Sequence, residues 1–423
     1  MSGLRGWRVV VFMLNNFGGM SGGDKFAFEV FGRFRRLQVW WVGTMAVRPG
    51  WMAVTLRLRP KGLGFLPYLL VSPFWALLSA RRLLSGDTIA FSSGDFINDV
   101  LAGFIAKRIF RCKWVAISHM SLISRNRWLS PWARVNRYSQ FLSYALMRSA
   151  DLVLVVDEVT KEDLKRLGVD EGKIFMTRNG VDRVRRAIEG GIKRYDAVFV
   201  VSRWHPQKGV QYIPYIWRRL QSEMGVAPSL AIVGRVPEEV VKEFKAMPFG
   251  DRVSFLGFLS EDEKFKTISE SKVLIMPSTY ESFGIVALEA LSVGTPVLAF
   301  DVGVARMDGV RLVRAGDVDA FADALRELLT DQKRYAELAE AARLSDAYSW
   351  DSISSEVERL FLSVASEGGP VKDATWRAAE ATWMGEHGAI QGGSPRRSTN
   401  DGLLPGRAPP KLYQPHPRSS ELP

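Results

Sequence analysis

Two glutamates, Glu281 and Glu289, stand eight positions apart in the stretch Lys272–Phe300. Glu289 falls in a run, Gly284–Val293, that is apolar nearly all round and reads as a buried helix. A buried carboxylate is costly without a hydrogen-bonding partner. Glu281 stands just before that helix, where free backbone N–H groups favour phosphate. Two acids that accept from hydroxyls, set around amides that grip phosphate, suit a sugar carried on a nucleotide. The plainer alternative is a Glu289 bonded to neighbouring backbone and a Glu281 that is merely solvated, and spacing alone does not choose. Arg203 and Lys208 offer two cations between a strand end and a helix start, able to neutralise a diphosphate leaving group. One Arg and one Lys are also common on any surface. His119, in Ser118-His119-Met120-Ser121, follows an apolar run, and ligands of open α/β sheets collect at strand carboxyl ends. A structural histidine is the alternative. Gly22-Gly23 end a glycine-rich stretch after the first apolar run, which lets a ligand approach the backbone or serves as a flexible turn.

These residues need elements to hold them. Val273–Met276 reads as a strand stopped by Pro277. Ser282 is placed to cap the helix after it, Gly294 ends that helix, and Pro296–Phe300 is the next strand. Val9–Leu14, Val39–Val42, Ala53–Leu58, Thr88–Phe91, Trp114–Ile117 and Leu152–Val156 read as further strands. Lys25–Leu37, Phe96–Phe110 and Trp132–Arg148 have helical spacing. The pattern resumes with strands at Ala197–Val201, Leu230–Val233 and Val253–Leu256. Such alternation predicts parallel sheets covered on both faces, an α/β fold. A last amphipathic helix opens at Tyr348-Ser349-Trp350-Asp351 and runs to about Ala365; beyond it Gly, Pro, Ser and Arg dominate and predict a mostly disordered tail.

Composition bounds the reading. The 423 residues suffice for two core-bearing domains, and 47% hydrophobic with 24% charged is ordinary globular usage. One cysteine, Cys112, cannot form an internal disulfide, and four histidines leave little room for a histidine metal site. Asp317-Val318-Asp319 could pass for a D-x-D metal motif but fits better as the cap of helix Ala320–Leu329, so no metal is expected. The net charge of +12 points to an anionic membrane or a phosphorylated substrate, since no nucleic-acid signature is present. The N-terminus does not read as a signal peptide. Leu63–Ala80 is uncharged, yet Pro67 and Pro73 are expected to break it, which favours a core or surface-dipping helix over a spanning one. Arginines beside Trp40, Trp41, Phe74-Trp75 and Trp128 fit either a membrane interface or a basic solvated face over an aromatic core.

Pro277, Ser278, Glu281, Phe283, Gly284, Glu289, Ala290, Gly294, Pro296 and Val297 reproduce P-S-x-x-E-x-F-G-x-x-x-x-E-A-x-x-x-G-x-P-V. This resembles the E-x7-E signature of the large retaining glycosyltransferase family with the two-domain GT-B fold (glycosyl transferases group 1, family 4 type). Arg178-Asn179-Gly180-Val181-Asp182 is similar to the family's P-N-G-V-D with Arg178 for the proline. Ser202-Arg203 to Lys208-Gly209 is similar to G-R-x-x-x-x-K-G with Ser202 for the glycine. Asp24 and Lys25 follow the glycine pair where the family commonly has a glutamate two residues on.

The resemblance implies two Rossmann-like domains facing a cleft, with a C-terminal helix crossing back to the first. On that basis residues 1–182 are the acceptor-side domain, 183–195 a linker, 196–347 the nucleotide-sugar domain, 348–365 the crossing helix and 366–423 the tail. It implies retaining transfer of a hexose-type sugar from a nucleotide-diphosphate donor such as a UDP- or GDP-sugar, without metal or other cofactor. The acceptor would be a glycan, a lipid-linked or a small molecule, as in polysaccharide or glycolipid synthesis. Glu289 would hold the ribose, and Glu281 with the Phe283–Gly284–Ile285 backbone the sugar and phosphate. Arg203 and Lys208 would hold the departing diphosphate, Gly22 and Gly23 would face donor phosphate and acceptor, and His119 would contact the transferred sugar. A cytoplasmic protein, peripheral on the inner face of the cell membrane through its first domain, is the matching location. The alternatives are a sugar-nucleotide epimerase of the same fold and a catalytically inactive basic binding protein.

Overall fold

The computed structural model describes residues 6–15, 21–44, 52–55, 65–124, 131–182, 192–303 and 306–367. They form two compact units, one running to Gly180 and resuming at Ala347, the other spanning Val181–Asp346. The first contains β1 (Arg8–Met13), α1 (Gly22–Phe31), β2 (Gln38–Gly43), β3 (Met52–Thr55), α2 (Phe65–Ala80), β4 (Thr88–Ser92), α3 (Ile97–Phe110), β5 (Lys113–Ser118), α4 (Pro131–Met147), β6 (Leu152–Val155), α5 (Glu158–Arg166) and β7 (Ile174–Met176). The second contains β8 (Tyr195–Arg203), α6 (Ile213–Met224), β9 (Leu230–Arg235), α7 (Glu238–Lys245), β10 (Val253–Gly257), α8 (Glu261–Ser269), β11 (Ser271–Met276), α9 (Ile285–Ser292), β12 (Val297–Phe300), β13 (Val310–Val313), α10 (Val318–Thr330) and α11 (Gln332–Ala341). α12 (Trp350–Glu367) returns to the first unit.

Among the described residues each unit is built on one parallel sheet, ordered β3-β2-β1-β4-β5-β6-β7 and β10-β9-β8-β11-β12-β13. Both faces of each sheet are covered, which is why the strands are apolar without alternation. Val9 and Val11 enter one core with Phe26 and Phe31, while Val10 and Phe12 enter another with Ala76 and Ala102. β11 divides likewise, Val273 and Ile275 to one side and Leu274 and Met276 to the other.

α12 completes the first unit, as the expected returning helix does. Trp350, Ile353, Val357, Leu360, Phe361 and Val364 line its buried stripe, and the Phe361 ring lies 5.4 Å from Phe31 and 5.7 Å from Phe91. Arg178 fastens the approach, donating to the Ala347 carbonyl at 3.1 Å and pairing with Glu356 at 2.9 Å. The Glu358 carboxylate accepts from the backbone N–H groups of Arg35, Arg36 and Leu37.

The structure corrects several expectations. α1 starts at Gly22, not Lys25, because Ser21 and Asp24 form a reciprocal capping box, and it stops at Phe31. Phe65–Ala80 stays one helix: Pro67 lies in its first turn, where no helical acceptor awaits its missing N–H, and Pro73 alone is interior. Of the two readings left open for the aromatics beside arginines, Trp41 takes the core one, 3% exposed and stacked on Phe28 at 5.0 Å. β8 takes in Tyr195, assigned above to the linker, and β7 and β13 were not anticipated. Arg125, Arg127, Trp128, most of the linker, residues 56–58 and the tail from 368 lie outside the described residues. No helix among the described residues is long and apolar enough to cross a membrane.

Candidate functional site

In the second sheet the strand order reverses between β8 and β11, and such a switch point opens a crevice at the carboxyl ends of the two strands. The loops that leave those ends carry the expected residues. After β8, Pro206–Lys208 makes one 3-10 turn closed by Gly209 at φ +75°. A Cβ on Gly209 would lie 1.8 Å from the Pro277 carbonyl oxygen, so only glycine lets this turn rest on the end of β11. Thr279 N–H donates to the Gln207 carbonyl at 2.9 Å across the same seam. The seam brings Lys208 to Glu281: Nζ donates to Oε1 at 2.7 Å, and the Ser278 hydroxyl donates to the same oxygen at 2.9 Å. Glu281 is 8% exposed. The backbone of Arg203 ends β8; its side chain lies outside the described residues.

The α9 start is corrected. Ser282 does not cap it; Gly284 does, in the left-handed conformation (φ 80°, ψ 60°), and a glycine brings no side chain to bond the N-terminus. The first N–H groups, from Ile285 on, therefore have no side-chain acceptor supplied by a cap, and Phe283 is buried just before them. Glu289 is 3% exposed, as expected of a buried acid. Among its partners is a lysine that the sequence reading missed. Lys264 Nζ donates to Glu289 Oε1 at 3.0 Å and to Glu261 at 2.7 Å. The signal available was the Ser260/Glu263 capping box that starts α8 and so fixes where Lys264 stands. The pairing itself, 25 residues away, had no local signature.

In the first sheet the order reverses between β1 and β4. Gly22 and Gly23 lie not in a loop but in the first turn of α1. A Cβ on Gly23 would stand 2.8 Å from His119 Cδ2, so the missing side chain makes room for the imidazole. His119 directly follows β5 and meets the Phe26 ring edge-on at 5.6 Å. Its Nε2 lies 3.2 Å from the Ser93 carbonyl. A carbonyl can only accept, so Nε2 carries the proton and Nδ1 keeps its lone pair. Burial pushes its pKa down to about 4, against the opposing pull of the Ser93 carbonyl and Asp24, so the ring is neutral at pH 7. Asp24 accepts from the backbone and hydroxyl of Ser21 at 2.8 and 2.7 Å, which commits it to the helix start. Beneath, Asp99 accepts from Leu14 N–H and Asn15 Nδ2, both at 2.7 Å, and burial pushes its pKa up to about 7.

Asp317 caps α10, its carboxylate accepting from Ala320 N–H at 3.0 Å. No group of three or more His, Cys, Asp or Glu placed to hold a metal occurs among the described residues.

The model of the Glycosyltransferase Family 4 matches residues 5–185, and that of the Glycosyl transferases group 1 matches residues 184–345. The chain is 37% identical over 153 residues to the phosphatidyl-myo-inositol mannosyltransferase of Mycobacterium leprae, a match covering 34% of this chain and 41% of that protein. The sucrose-phosphate synthase structure from Thermosynechococcus elongatus superposes with a TM-score of 0.68 at 19% identity, over 85% of this chain and 99% of the other. Anabaena HepE in complex with UDP-glucose gives 0.61 at 19% identity, over 84% and 99%. These likenesses show the GT-B fold. With the two family models meeting end to end, the chain belongs to the glycosyltransferases of the family 4 and group 1 type.

Proposed function

We propose that this protein transfers a hexose-type sugar from a nucleotide-diphosphate donor to a glycan, lipid-linked or small-molecule acceptor, with retention at the anomeric carbon and without a metal. The observation that carries the reading is the Lys208–Glu281 pair at the switch point of the second sheet, beside an α9 N-terminus that no side chain caps. The donor diphosphate sits against the Phe283–Gly284–Ile285 backbone, with Lys208 and Arg203 as its cations. Glu289 takes the ribose hydroxyls and Glu281 the sugar. Gly22, Gly23 and His119 serve the transferred sugar and its acceptor; a neutral His119 accepts a sugar hydroxyl through Nδ1. The leaving phosphate itself helps deprotonate the acceptor, so no nucleophilic carboxylate is needed.

UDP-glucose in the HepE structure and the inositol-lipid acceptor in the name of the M. leprae relative support a nucleotide-sugar donor and an acceptor at a membrane surface. We place the protein in the cytoplasm, peripheral at the membrane, a reading that such an acceptor would support. The test is a panel of UDP- and GDP-sugars scored by thermal shift, then by turnover with candidate acceptors in chelator. One donor should raise the melting temperature, and Glu289→Ala should abolish that rise. No response to any nucleotide sugar would defeat the proposal; conversion of donor to an isomer without acceptor would replace it with epimerisation.

A further inference from the structure

α2 is apolar on both sides. Tyr68, Ser72, Ala76 and Ala80, spaced four apart, face inward and are buried. Tyr68 donates to the Leu14 carbonyl at 2.6 Å and Asn98 Nδ2 donates to Ser72 at 3.3 Å, so the helix cannot roll. The opposite line is therefore held in solvent: Leu70, Phe74 and Leu78 are 62%, 59% and 60% exposed, with Val71 and Trp75 alongside at 55% and 42%. An exposed apolar strip of this kind marks an interaction surface.

The charges around it select the occupant. Arg81 and Arg82, both exposed, follow the helix directly, and exposed Arg108 and Arg111 stand at the end of α3, which packs against α2. The chain carries +12, so a second copy would bring the same positive charge to the face. An anionic lipid surface offers both the apolar layer and the opposite charge. The helix has 16 residues, about 24 Å, too short to cross a hydrocarbon core of about 30 Å and long enough to lie along one.

We propose that the outer face of α2 docks on an anionic phospholipid bilayer, with Leu70, Phe74, Trp75 and Leu78 in the acyl boundary and Arg81 and Arg82 among the headgroup phosphates. This gives the peripheral contact inferred above a defined surface, and its test needs no glycosyl transfer. The full chain is floated with vesicles of phosphatidylglycerol and phosphatidylcholine (1:1) and with phosphatidylcholine alone, at low and high salt. The expected result is strong binding to the anionic vesicles that weakens with salt, and weaker, salt-insensitive binding to phosphatidylcholine alone. Arg81→Gln and Arg82→Gln should each weaken it about fivefold on anionic vesicles only. Phe74→Glu with Leu78→Glu should weaken it at least about tenfold on both, with a melting temperature close to the parent because both side chains are already in water. A polarity-sensitive label on Leu78→Cys, with Cys112 buried and unreactive, should shift to the blue when vesicles are added. The proposal is overturned if the parent does not float, or if the glutamate variant binds as the parent does. It is also overturned if the label is sheltered before vesicles are added, which would mean a second copy or another segment of the chain covers the face.

Discussion

Substituting Gly209 by alanine separates a close approach from a backbone preference, because Gly316 provides the control. Both glycines have nearly the same φ, +75° and +79°, but a Cβ at Gly316 meets nothing within 4 Å. Gly316→Ala therefore meets only the left-handed penalty of about 1–2 kcal/mol, less about 0.4–1 kcal/mol for the stiffer unfolded chain. About 1 kcal/mol of destabilisation is expected. Gly209→Ala carries the same term and a Cβ 1.8 Å from the Pro277 oxygen, so the turn must lift by about an ångström or more to restore an ordinary contact. That motion opens the Thr279–Gln207 backbone bond and the Lys208–Glu281 pair. At roughly 1 kcal/mol for the first and about 1.5–3 kcal/mol for the charged second, on top of the backbone term, the total reaches about 4 kcal/mol. Equilibrium urea unfolding, read from the midpoint at unchanged slope, measures both variants. Gly209→Ala should also lose any nucleotide-sugar thermal shift that Gly316→Ala retains. Equal destabilisation at the two glycines would refute the argument that contact with Pro277 requires glycine.

Lys264→Met should destabilise by roughly 3 kcal/mol by removing the cation paired with the buried Glu289 carboxylate, and adding Glu289→Gln should restore most of it; urea unfolding of the three variants decides. His119 titrates in the direction opposite to the buried acids. Its folded pKa of about 4 lies below the unfolded 6.5, so its stabilising effect is full above pH 6.5 and is lost as pH falls through 4. The stability difference between the parent and His119→Asn should shrink by about 2 kcal/mol between pH 7.5 and 4.5, allowing for the partly open ring. Asp99, raised to about 7, works the other way across the same window, which is why the difference and not the raw profile must be read. Asp317→Ala should cost about 1 kcal/mol in the melting curve and leave turnover in chelator unaffected, since the residue caps a helix.

Much of this architecture was readable because parallel strands covered on both faces are mostly apolar: β1, β4, β5 and β11 each announce themselves as short apolar runs, with buried Thr or Ser only at their ends. The errors have physical reasons. Serine's preference for helix starts pointed to Ser282, but Gly284 reaches the left-handed conformation that places α9, and a torsion angle leaves no trace in composition. Pro73 was read as a break of about 3 kcal/mol, yet the same helix buries Tyr68, Leu69, Ala76, Leu77 and Ala80, which is worth more. Lys208 and Glu281 were each visible, but their pairing joins loops 73 residues apart. Gly23 was legible as a glycine that mattered; that His119 fills the space above it was not.

The path of α12 has a consequence for how the chain comes off the ribosome. Phe361 and Val364, which fill the interior around Phe31 and Phe91, are synthesised after the entire second unit. The unit made first must therefore wait, its greasy centre unsealed, until the unit made second is complete, although nascent proteins usually finish their leading portion early. A product cut short near residue 346 is therefore expected to leave that interior open, a liability set by the thread of the polypeptide itself.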